Sequence, residues 1–89
     1  EALSFGFLNS VVSEGELIAT AEKMARRIAT GPPVAIRLAK TMMRNGMSMD
    51  LETSLEMSAA AEAITLSSAD HIEGMAAHRE KRRPWFKGI

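Results

Sequence analysis

Eighty-nine residues suffice for one small domain, but domains of this size bury only about 60–65% of their chain surface and are marginal alone. Eleven basic and eleven acidic side chains balance, which argues against a global field for nucleic acid; the absence of cysteine excludes disulfides and thiolate metal sites. No apolar run approaches the roughly 20 residues that span a bilayer, and the N-terminus lacks the pattern of a secretory signal, so the expected location is cytoplasmic, with no membrane partner.

Taken in chain order, Glu1 to Phe5 reads as the last turn of a helix, and Gly6 supplies the left-handed conformation that ends it. Phe7 to Val12 is a short extended piece, a strand edge or a tether, whose apolar side chains need a partner. Residues 1–12 thus form a connecting segment and 13–89 a helical unit. Ser13 and Glu16 have capping-box spacing. From there Leu17, Ala21, Met24 and Ile28 make an apolar row on a helix over roughly 14–30, while Glu22, Lys23, Arg26 and Arg27 face water. Thr30-Gly31-Pro32-Pro33 ends that helix and begins the next, since glycine closes a helix and proline fits the first turn of another.

The second helix is expected over roughly 33–45, with Ala35, Leu38, Ala39, Met42 and Met43 inward and Gly46 at its end. Ser48 or Asp50 caps a third over roughly 50–66. Two apolar stripes run along it, Leu51-Leu55-Ala59-Leu66 and Met57-Ala61-Ile64, and two stripes on one helix ask for neighbours on both sides. One of those neighbours is expected to come from another subunit. The fold class expected is therefore all-α: an array of about four helices with a short extended N-terminal segment, assembled as a homo-oligomer. The seven methionines read as core and oligomer contact in preference to a promiscuous peptide groove.

The fourth segment, Asp70 to Phe86, reads D-H-I-E-G-M-A-A-H-R-E-K-R-R-P-W-F. Ser67 or Ser68 caps a helix over roughly 68–83, Asp70 and Glu73 complement the dipole at its start, and Pro84 stops it. Trp85 and Phe86 follow as an anchoring plug. Five cations and one acid fall in residues 79–87, leaving six cations and ten acids elsewhere. A basic tip on a mildly acidic body suits one localised anion contact and is too short for a nucleic-acid stripe.

The spacing Asp70-x-x-Glu73-Gly74-x-x-Ala77-x-x-Glu80-Lys81-Arg82-x-Pro84-x-Phe86 resembles the C-terminal signature of the enoyl-CoA hydratase/isomerase (crotonase) superfamily. Gly6-Phe7-Leu8 with Val11-Val12, and Pro33-x-Ala35 with Lys40, resemble two earlier pieces of that family. The resemblance covers the whole chain but only the C-terminal third of such an enzyme, and the start at Glu1 without a methionine reads as a cut from something longer. It implies acyl-CoA thioesters as substrates, trimer-type self-association, no covalently bound cofactor, and coenzyme A as the group this segment covers.

Under the resemblance, Lys81 meets the anionic end of coenzyme A; an ammonium suits a phosphate as a point charge. His78 stands where the family has a phenylalanine against the acyl or pantetheine tunnel, which implies a shorter or more polar substrate. The competing readings are a surface histidine at 78 and dipole-complementing cations at Lys81, Arg82 and Arg83. The motifs that supply the family's catalytic glutamates and oxyanion hole are not found here, so no catalytic residue is assigned and the isolated segment is expected to be inactive. Glu56 and Glu62 read as solvated carboxylates. His71 and His78 lie two turns apart, about 10 Å by helix rise, too far to share one metal. The alternative from another class is a stand-alone helical protein–protein interaction module with no enzymatic role.

Overall fold

The structure, a computed structural model, describes residues 1–89. It is all-helical: a 3₁₀ turn at Glu14–Glu16 leads into α1 (Leu17–Ala29), followed by α2 (Pro33–Asn45), α3 (Leu51–Leu66) and α4 (Ala69–Glu80), with no strand. None of these helices is long and apolar enough to cross a membrane.

The helix boundaries follow local chemistry. Asp50 caps α3, its Oδ1 accepting from the Thr53 N–H at 2.9 Å and its Oδ2 from the Thr53 hydroxyl at 2.7 Å. Ser68 caps α4, its hydroxyl accepting from the His71 N–H at 3.1 Å. Pro33 opens α2, where a missing N–H costs nothing. Gly6 takes φ +74°, the left-handed state expected of it.

Three expectations need correction. Ser13 and Glu16 do not form a reciprocal capping box: the Ser13 hydroxyl donates to the Glu16 carboxylate at 2.6 Å instead of capping a helix N–H, and a 3₁₀ turn precedes α1. That hydrogen bond, followed by the Ser13 backbone N–H, holds the Glu16 carboxyl below its usual range. The fourth helix ends at Glu80, three residues before the expected 83, because Lys81 turns left-handed; Pro84 lies in the extended tail beyond.

The third correction concerns burial. Only Ala77 and Asp70 are buried; the set assigned inward on α2 is at most half-buried, and the apolar rows of α1 and α3, which ask for partners, are largely open. Leu17, Ile28 and Leu55 are exposed, and Met43, assigned inward, is 77% exposed while Met42 is half-buried. The reason is shape: α2 packs on α3 and α3 on α4, but the chain spreads as a slab of 42 × 39 × 18 Å with a radius of gyration of 16.5 Å. A compact chain of this length would measure about 12 Å. Periodicity finds the apolar face of a helix; it does not say whether this chain supplies the cover.

Candidate cation corner and C-terminal clasp

The functional candidates gather where α4 ends and the tail turns back along it. Asp70, one residue into α4 and 3% exposed, grips the far end of the chain. Its Oδ1 accepts from the Lys87 N–H at 2.7 Å and its Oδ2 from the Gly88 N–H at 2.8 Å, while its own N–H donates to the Ile89 carbonyl at 3.2 Å. One turn on, Glu73 accepts two parallel bonds from the Arg82 guanidinium, at 2.6 and 2.9 Å, and a third from the Trp85 N–H at 2.8 Å. Two carboxylates one helical turn apart therefore take the N–H groups of an extended strap that runs antiparallel to the helix.

Gly74 completes the clasp. A side-chain Cβ there would sit 3.6 Å from the Phe86 ring, so the bare backbone is the floor on which Phe86 rests. Gly88 at φ +79° lies against Pro33 and brings the strap to the start of α2. Of the expected plug, Phe86 is half-buried, but Trp85 is 77% exposed and anchors through its backbone N–H alone.

Electrostatics match this geometry. Arg82, foremost, and then the Trp85 N–H push the Glu73 carboxyl down from 4.5 to about 2. Arg82 is raised in turn by Glu73 and Glu80, whose carboxylate accepts from its Nε. A carboxylate held ionised by three donors is a poor general base, which rules against Glu73, while each Asp70 oxygen is committed to a backbone N–H of the tail. Asp70 keeps its place as an acid in the first turn of α4, and both acids serve in addition as tail anchors; Arg82, expected as a surface cation, is a member of the clasp.

Lys81 and His78 stand at the edge of this arrangement, both exposed. They are joined through the backbone: the Lys81 N–H donates to the His78 carbonyl at 3.3 Å. Lys81 lies at φ 54°, ψ 36°, the one non-glycine residue in the left-handed region, and makes no ion pair. Arg83 also lacks a carboxylate partner; with Pro84, Arg27 and Thr30 it lines an open cleft of about 470 Å³ between the end of α1 and the tail. The helical pattern puts Arg27 on the water-facing side of α1, and nothing local in the sequence places it beside Arg83. The corner can hold an anion. It contains no nucleophile–base pair.

Comparison with known proteins agrees with the motif. A family model described as enoyl-CoA hydratase/isomerase matches residues 1–89. The short-chain-enoyl-CoA hydratase of Clostridium acetobutylicum is 37% identical over 83 residues, 93% of this chain and 32% of that one. The human mitochondrial methylglutaconyl-CoA hydratase is 35% identical over 92 residues, covering 99% of this chain and 27% of the relative. Among solved structures, an enoyl-CoA hydratase from Bacillus anthracis superposes with a TM-score of 0.89 at 38% identity, across 99% of this chain and 34% of the other. The chain thus spans about a third of the length of the relatives it resembles.

Proposed function

The chain belongs to the enoyl-CoA hydratase/isomerase family, matched along all 89 residues, and on that premise we propose that it is the C-terminal helical layer of an enzyme acting on acyl-CoA thioesters. The reaction class is hydration of a 2-enoyl-CoA, with double-bond isomerisation as the nearest variant; the relatives' names, short-chain-enoyl-CoA and methylglutaconyl-CoA hydratase, support it. In this reading residues 1–12 tether the layer and residues 13–89 cover the coenzyme A site and contribute oligomer contacts. Its partners are further copies of the same chain and the acyl-CoA substrate, and its compartment is the cytoplasm. The catalytic machinery lies on the part of such an enzyme that this chain does not include.

The single observation that carries the proposal is the exposed, unpaired Lys81 presented just past the end of α4, beside the clasp that carries the family motif. An ammonium there takes a coenzyme A phosphate as a charge-assisted hydrogen bond, worth about 1.5–3 kcal/mol, or roughly ten- to hundredfold in affinity. Lys81→Ala in the full-length natural protein is expected to weaken an acyl-CoA by that factor and an acyl-pantetheine hardly at all. Equal losses for both ligands in a calorimetric titration would mean the lysine does not meet the nucleotide end. His78 is proposed as the neighbouring contact nearer the pantetheine arm.

A stand-alone interaction module is the second reading, favoured by one observation, the open apolar faces of α1 and α3. It predicts no coenzyme A ester binding in the full-length protein.

A further inference from the structure

The turn that follows α4 is built on the wrong residue. Lys81 donates its N–H to the His78 carbonyl and Arg82 donates its own, at 3.0 Å, to the Ala77 carbonyl. This is the paired closing turn of a helix whose first outside residue is left-handed, a position that glycine fills at no steric cost. A lysine there is strained, because its Cβ crowds the carbonyl. Strain of this kind persists only where the surroundings over-determine it, and it collects at functional positions.

The surroundings here are specific. Arg82, the next residue, is fixed on three sides: two parallel bonds to Glu73, nine residues back, and one from its Nε to Glu80. Glu73 is held in turn by the Trp85 N–H. Lys81 is therefore spanned by a closed ring from Glu73 through Glu80 to Arg82 and back, and it is the only member of the ring's turn whose own side chain bonds to nothing. A planar guanidinium fork bound bidentate fixes orientation as well as distance, which a lysine at position 82 could not do.

We propose that Arg82 is a positioning residue: by clamping to Glu73 and Glu80 it locks Lys81 in the left-handed conformation and so aims the Lys81 ammonium at the phosphate-bearing end of the ligand. Arg82 itself is assigned no ligand contact: three of its five N–H donors go to Glu73 and Glu80 and a fourth to the Arg83 carbonyl. The inference rests on the proposed role of Lys81 and extends it, assigning the cationic run two separate tasks. Glu73 belongs to the same device as the anvil that receives the fork.

The test uses the full-length natural protein, Lys81→Ala, Arg82→Gln and the double variant, each titrated with an acyl-CoA and the matching acyl-pantetheine. Arg82→Gln is expected to weaken the acyl-CoA about threefold or more while leaving the acyl-pantetheine within about twofold, and the double variant is expected to be no worse than Lys81→Ala alone. Arg82→Lys, which keeps the charge but not the fork, should fall between. Additive losses would show Arg82 acting on the ligand directly; equal losses on both ligands would show only a loosened tail; no loss would show no role. Each of these overturns the proposal. A crystal structure of Arg82→Gln separates it from the Lys81 reading: residue 81 is expected to return to negative φ, and retention of the left-handed backbone would sink the clamp whatever the ligands do.

Discussion

Asp70 carries the most consequential single contact, because a carboxylate 3% exposed has no water to fall back on when its two backbone donors are disturbed. Asp70→Asn replaces one acceptor oxygen by an NH₂ group, which then faces a backbone N–H as donor against donor. The expected cost is about 1–3 kcal/mol, with amide exchange at Lys87 and Gly88 accelerated while that of α3 is unchanged. Unaltered protection at both amides would show that the strap is held by something else. Glu73 adds a pH dependence: its folded value is depressed from 4.5 to about 2, so its contribution is complete above about pH 4.5 and is lost as pH falls toward 2. Exchange at the Trp85 amide should rise across that window, and Glu73→Gln should abolish the rise. The spacing of Asp70, Glu73 and Gly74 was legible in the sequence, yet their partners were not. The two carboxylates take backbone N–H groups 12 to 18 residues downstream, which no side-chain pattern marks.

At the scale of an element, caps that rest on neighbouring residues could be read from the chain. Asp50 with Thr53 and Ser68 with His71 are three residues apart and need no tertiary information. The end of α4 could not be read this way, since Arg82 and Arg83 are good helix formers and only Pro84 signals a stop. The helix ends at the left-handed Lys81, and just beyond it Arg82 bonds Glu73, a partner nine residues back that no local pattern marks. The strained turn yields its own prediction. Lys81→Gly relieves the left-handed crowding and is expected to raise stability by about 1 kcal/mol, read as a higher melting temperature, while removing the ammonium proposed to meet the ligand. Stability and affinity moving in opposite directions is the signature of a residue kept for function. A destabilised glycine variant would mean that the lysine stem packs where it now stands open.

The whole molecule shows why helix prediction succeeded while burial prediction did not. Its accessible surface is 7698 Å², against about 5,100 Å² for a compact monomer of this mass. Part of the excess lies in side chains that form an apolar stripe in the sequence: Leu51 is 75% exposed, Leu55 61% and Leu66 52%, all on α3. An apolar stripe carries no label for the chain that will cover it, so a face meant for another copy or for the rest of a longer protein looks the same as a face meant for this one. For the 89-residue chain alone, the available cover is itself. It is expected to sediment at high micromolar concentration with a mass of at least twice that of one chain. Leu51 and Leu55 lie one turn apart on the same side of α3, and burying each is worth about 1.5–3 kcal/mol. Changing both to lysine should therefore weaken association about a hundredfold or more. Helical circular dichroism distinguishes a lost interface from a lost fold. A strictly monomeric profile with helicity intact would contradict the expectation, because the slab would then be stable with its widest apolar faces in water.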